Sequence, residues 1–283
     1  VSDQCDPSPQ PPISVHAVAP DGTADEPLDF TGRSVVVTGG SRGLGRTIAT
    51  TFLDAGADVL ICARSDPLEP VTSTDGVREA AFVAADVRAA DQVANVVAVA
   101  LKRSGHIDVL VNNAGGAPAA ESATVSPRFN EKIIALNLTA PMTFCQAVHP
   151  AMSSQSEGGV IVNVSSVSGT RPNPQGVAYG AAKAGLENMT RTLAHEWGPS
   201  IRVVAVTVGM IVTEESEAFY GDADGQAAVA RNLAARRLGR PEDVAGMVLA
   251  LASPLARWVT GTCVEVHGGG EGPAYLYAAS DPT

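Results

Sequence analysis

The chain has 283 residues, 45% of them hydrophobic and 17% charged, with a formal net charge of -11. That length and apolar content suffice for a buried core in one large domain or two small ones, and the acidic balance disfavours nucleic acid and anionic membranes, which would both repel it. No apolar run reaches the roughly 18 residues of a spanning helix. Cys5, Cys62, Cys145 and Cys263 stand too far apart for a zinc knuckle or a disulfide framework, so no metal site is expected.

Residues 1–30 are rich in proline, serine and acids, lack a periodic apolar pattern and read as a flexible tail. They show neither a basic segment followed by an apolar run nor any other secretory signal, so a soluble, cytoplasmic protein is expected. From Ser34 onward, β-branched runs alternate with alanine-rich stretches. The pattern predicts a strand over 34–38, a helix from 45, a second strand over 58–63, a third over 80–87 and a helix over 91–105. A fourth strand follows at 107–113, a helix at 130–152, a fifth strand at 159–166, a helix at 178–197 and a sixth strand at 201–208. A polar segment, a helix at 241–252 and a last strand at 263–267 complete the order, with a tail from 273. Strands separated by helices need crossover connections, which favour a parallel sheet covered on both faces. The expected fold is therefore a single α/β, doubly wound Rossmann-type domain over 31–272 with a seven-stranded parallel sheet.

In such sheets ligands bind beyond the carboxyl ends of the strands. The first strand ends there in TGGSRGLG, residues 38–45. Glycines at 39, 43 and 45 permit a tight turn, close approach of backbone to a pyrophosphate and close packing of the following helix. Alone, such a turn is equally a strand-to-helix connection without a ligand. An acidic residue is expected about 20 positions on when the adenosine ribose carries a free 2'-hydroxyl. The chain has Ala63 and Arg64 there, and Arg42 lies within the loop. Two guanidinium groups suit a 2'-phosphate; the alternative is a solvated Arg64 neutralised by Asp66.

The segment YGAAK, 179–183, sets a phenol and an ammonium one helical turn apart among small residues. Hydride reduction of a ketone leaves negative charge on oxygen, which needs a proton donor and a hydrogen-bond donor. A phenol near pKa 10 is a poor acid-base group at neutral pH, and a lysine on the same helical face is expected to lower that value. Ser166 ends the fifth strand 13 residues upstream of Tyr179. Each feature alone fits a bland role: a packed tyrosine with a surface lysine, and a serine in a strand-end turn, the role expected of Ser165.

Together, TGGSRGLG, the NNAG of 112–115, Ser166 and YxxxK resemble the short-chain dehydrogenase/reductase family over about 30–270, and in general outline its 3-oxoacyl carrier-protein reductase-like members. The resemblance implies an NADP(H)-dependent oxidoreductase with Asn137, Ser166, Tyr179 and Lys183 as catalytic set, Asn137 holding a water in a proton relay. It implies cofactor contacts at Gly39, Ser41, Arg42, Gly43, Leu44 and Gly45, at Arg64, Asp86 and Val87, at Asn113, Ala114 and Gly115, and at Tyr179 and Lys183. Gly209, Ile211 and Thr213 would hold the nicotinamide, although Val208 stands where the family usually has proline and Val204 where it often has asparagine. The resemblance also implies a substrate lid at about 210–240 and a homotetramer. The lid opens with five acids without a base, then turns basic, a pattern that reads as a solvated helical hairpin more readily than as direct charge recognition. That acidic rim would repel an acidic acyl carrier protein, unless Arg128 and Arg171 flank the mouth, so a small carbonyl compound or alcohol is the expected substrate. A 3-oxoacyl reductase and a catalytically silent NADP-binding regulator remain the alternatives.

Overall fold

The β-branched runs form strands whose alternate side chains point to opposite faces of one sheet. A computed structural model describes residues 27–214, 216–273 and 275. Most of the two expected tails lies outside those residues. Phe30, at the end of the range read as a tail, is 4% exposed and meets Phe52 edge-on, with ring centroids 5.1 Å apart.

The strands are β1 (Ser34–Thr38), β2 (Asp58–Ala63), β3 (Ala81–Ala84), β4 (Val109–Asn112), β5 (Gly159–Ser166), β6 (Ile201–Val208) and β7 (Cys263–Val266). All pairings are parallel, in the order β3-β2-β1-β4-β5-β6-β7. The order reverses between β1 and β4, which opens a crevice beyond the carboxyl ends of those two strands.

The helices are α1 (Gly43–Asp54), α2 (Ala90–Ser104), α3 (Pro127–Ile134), α4 (Ala140–Ser154), α5 (Val177–Trp197), α6 (Ser216–Tyr220), α7 (Ala223–Asn232) and α8 (Pro241–Ala252). Val35 and Val37 face a core shared with Ile48 and Phe52 of α1 and Val244 and Val248 of α8. Val36, between them, faces the opposite core with Val96 of α2, Phe144 and Val148 of α4 and Leu186 of α5. Val204 is fully buried in the first of these cores. An apolar side chain therefore suits the position.

Several element boundaries differ from the sequence reading. The helix expected at 130–152 starts at Pro127, where Ser126 caps it by accepting from the Phe129 amide at 3.2 Å, and α3 joins α4 through one π-helical turn, Ala135–Thr139. The third and fourth strands are shorter than 80–87 and 107–113. The polar lid, read as a solvated helical hairpin, does hold two short helices, α6 and α7.

Candidate active site

The glycine loop joins β1 to α1 in the crevice. A methyl group on Gly45 would lie 2.2 Å from the Gly39 carbonyl oxygen and 2.4 Å from Asn113 Nδ2, so only glycine lets α1 settle against the β4 end. Asn113 holds that junction by donating to Thr38 O at 2.9 Å and Gly39 O at 3.3 Å, while the Asn113 and Ala114 amides both donate to Thr38 Oγ1 at 3.0 Å. Arg42 precedes α1 in extended conformation; no side chain caps the helix and its first turn carries no acid. The first-turn amides of α1 and the tight glycine cradle fit a pyrophosphate.

Ser41 and Leu44 lie in the same loop, Leu44 packing on the core. Arg64 is exposed at the end of β2. Asp86, after β3, receives Arg88 Nε at 2.9 Å and Nη2 at 2.6 Å, and these bonds hold its carboxyl at about 2. Arg64 adds a further favourable charge. The next residue, Val87, is buried, leaving the Asp86 carboxylate as the polar group at this strand end.

Asn137 sits within the π turn, fully buried. Its Nδ2 donates to Ile133 O at 2.9 Å and Gly116 O at 3.0 Å, and its Oδ1 accepts from the Gly116 amide at 2.9 Å. The π turn adds one residue to the helix and turns Asn137 onto the 115–116 backbone, a device frequent at functional sites. A methyl group on Gly115 would lie 2.7 Å from Asn137 Oδ1 and 3.4 Å from Lys183 Nζ, so these two polar groups border one small space.

Tyr179 and Lys183 stand on one face of α5, with Lys183 Nζ 5.6 Å from the centre of the phenol ring. Lys183 is 4% exposed and donates to Val164 O at 2.8 Å; burial pulls its pKa down to about 8. Ser166, at the end of β5, acts on the Tyr179 phenol and pulls its pKa down. The structure thus brings Asn137, Ser166, Tyr179 and Lys183 to one end of the sheet, beside the glycine loop.

One electrostatic expectation is corrected. Lys183 was expected to lower the Tyr179 pKa, yet the phenol is pushed up, first by burial, with Ser166 pulling the other way and Tyr220 of the lid adding to the rise. Desolvation penalises the phenolate and the ammonium alike, and it is the largest cause of both shifts.

Gly209, Ile211 and Thr213 follow β6. Val208 continues that strand, in register with Ser166 on one side and Val266 on the other. The Gly209 amide donates to Val266 O at 3.1 Å, Ile211 bridges Gly239, and the Thr213 amide donates to Ser216 Oγ at 2.6 Å. Arg171, in the loop after Ser166, pairs with Glu271 at 2.7 Å, whereas Arg128 lies exposed on α3. Glu271 bridges Leu233, and the Gly272 amide donates to Asn232 O, so the lid and the chain's end form one wall.

Two further polar side chains escaped the sequence reading in this role. Glu187, one turn beyond Lys183, is 4% exposed, and Ser165 donates to it at 3.0 Å rather than serving a turn. The only available signal was the four-residue step from Lys183.

A family model described as enoyl-(acyl carrier protein) reductase matches residues 39–271. The chain is 36% identical over 246 residues to 3beta-hydroxysteroid dehydrogenase 1 of Eggerthella lenta, covering 85% of this chain and 94% of that protein. Among solved structures, a short-chain type dehydrogenase/reductase from Mycobacterium marinum is 32% identical with a TM-score of 0.79, covering 86% of this chain and 96% of the other. The aldohexose dehydrogenase of Thermoplasma acidophilum is 29% identical with a TM-score of 0.78, covering 90% and 97%.

Proposed function

The chain belongs to the short-chain dehydrogenase/reductase superfamily, NAD(P)-dependent oxidoreductases of alcohol and carbonyl groups, and on that premise we propose that it is an NADP(H)-dependent ketoreductase of small, free substrates. The observation that carries the reading is the Tyr179 ring with Lys183 Nζ 5.6 Å from its centre and Ser166 acting on its phenol, at the strand ends beside the glycine loop. Tyr179, protonated at neutral pH, gives its proton to the substrate oxygen as charge develops there, and Ser166 donates a hydrogen bond to the same oxygen. Lys183, buried and held to Val164 O, adds positive charge close to the emerging phenolate. Asn137 fixes the 115–116 backbone beside Lys183, where a water could return the proton. Bound nicotinamide would supply or accept the hydride; Gly39–Gly45, Asn113–Gly115 and the 209–213 loop are the residues that would hold it.

Preference for NADP(H) rests on Arg64 at the end of β2, with no carboxylate among Ala63, Arg64 and Ser65. Arg64→Ala should raise the NADPH KM about tenfold and leave NADH nearly unaffected, as expected for one charge-assisted bond to a 2'-phosphate. The free-substrate reading rests on Arg171: its pairing with Glu271 neutralises the cation best placed to receive an acidic carrier protein. A panel of ketones and alcohols followed by nicotinamide absorbance with each cofactor tests both points together. Turnover of free ketones with NADPH supports the reading. Equal use of NADH, turnover only of carrier-bound 3-oxoacyl substrates, or nucleotide binding without turnover would each replace it. A homotetramer, by resemblance to the family, is the accompanying proposal for light scattering.

A further inference from the structure

Three consecutive residues at the end of β5 are each tied to α5 by a different side chain. Val164 O accepts from Lys183 Nζ at 2.8 Å, Ser165 Oγ donates to Glu187 Oε1 at 3.0 Å, and Ser166 acts on the Tyr179 phenol, lowering its pKa. Glu187 reaches further. The same Oε1 accepts from Thr207 Oγ1 at 2.9 Å, and Thr207 stands opposite Ser165 in the register of β5 and β6. Ser165 and Thr207 are 2% and 1% exposed. The other carboxylate oxygen faces Arg191 at 3.7 Å.

We propose that Glu187 is a positioning residue, a buried acceptor that ties the residue before Ser166 and the residue before the 208–213 loop to the helix carrying Tyr179 and Lys183. A carboxylate removed from water is unfavourable unless several donors converge on it, and two hydroxyls on neighbouring strand ends meet that need only when β5, β6 and α5 stand in one relative position. The hub therefore encodes that position. It also answers the absence of proline at 208. Val208 leaves the start of the loop freer to rotate than proline would, and the Thr207–Glu187 bond anchors the backbone one residue earlier. Ser165 transmits to the catalytic serine and Thr207 to the loop, so the two arms act on different steps.

This inference rests on the functional reading of Ser166 and of the 209–213 loop given above. The test uses the full chain with Ser165→Ala, Thr207→Val, Glu187→Gln and Glu187→Leu. NADPH fluorescence titration gives Kd, steady-state ketone reduction gives kcat, and circular dichroism gives Tm. Thr207→Val should raise the NADPH Kd about threefold or more and lower kcat less; Ser165→Ala should lower kcat about threefold or more and move Kd less, each having lost one hydrogen bond. Glu187→Gln keeps an oxygen able to accept from both hydroxyls and should stay within about twofold of wild type in both quantities, whereas Glu187→Leu shows both defects. Adding Thr207→Val to Glu187→Leu should change Kd no further, because the partner is already gone. Should Glu187→Leu fail to fold, the two hydroxyl variants carry the test by themselves. Variants that shift Tm alone, or a Glu187→Gln enzyme as impaired as Glu187→Leu, would overturn the assignment. Wild-type protein that binds no nicotinamide nucleotide would defeat the functional reading and this one with it; wild-type binding that the hydroxyl variants leave unshifted would defeat this one alone.

Discussion

Tyr179 is held protonated by its surroundings. Its pKa lies above the ordinary phenol value, chiefly through burial, so at neutral pH it is ready to give a proton and poorly able to take one. Ketone reduction should accordingly be flat near neutrality, while oxidation of the corresponding alcohol should climb as pH rises toward the phenol's range; kcat/KM profiles in both directions check this. Tyr179→Phe should lower turnover at least about a hundredfold with NADPH affinity little changed. Lys183 makes the opposite sacrifice. Its folded pKa of about 8 lies below the ordinary 10.5, so between those values the unfolded chain binds the extra proton and stability rises with pH. Below about pH 8 the full penalty of burying the ammonium is present. Lys183→Met should therefore abolish turnover yet melt no lower than wild type at pH 7, and the comparison should tilt toward wild type as pH passes from about 8 to 10.5. Calorimetry across that window decides it.

At the scale of elements, the strands were legible because parallel strands buried on both faces read as continuous apolar runs, as SVVVT and DVLICA do. The shared helix face of Tyr179 and Lys183 was legible in their four-residue step, whereas Ser166 was singled out by the family resemblance. The π turn did not show, since shifting a hydrogen bond by one residue leaves no compositional trace in ALNLT. Nor did the direction of the Tyr179 shift, which depends on how tightly α5 and the lid enclose the ring. The π turn makes Gly115 sensitive. Gly115→Ala would press a methyl group to 2.7 Å from Asn137 Oδ1, and should cut kcat about tenfold or more by displacing that side chain, with the fold intact by circular dichroism.

Across the whole molecule, the glycine cradle, the proposed catalytic set and the lid come from segments spread over most of the chain, and they follow the carboxyl ends of strands in one parallel sheet. Contacts between distant segments were the least readable part. Arg171 and Glu271 lie far apart in sequence, and nothing in either neighbourhood announces their pairing. No helix among the described residues is long and apolar enough to cross a membrane.

The Arg171–Glu271 bridge, with the backbone bonds that join Leu233 and Asn232 to residues 271–272, bears on how the protein should be handled. A chain cut after Gly270 loses the carboxylate that steadies the loop behind the serine, and it should show a raised ketone KM in steady-state assays while still binding nucleotide. Affinity handles and reporter fusions joined close behind Glu271 would pull on the same hinge of the reaction chamber, so a purification scheme that respects it places a long spacer there or none at all.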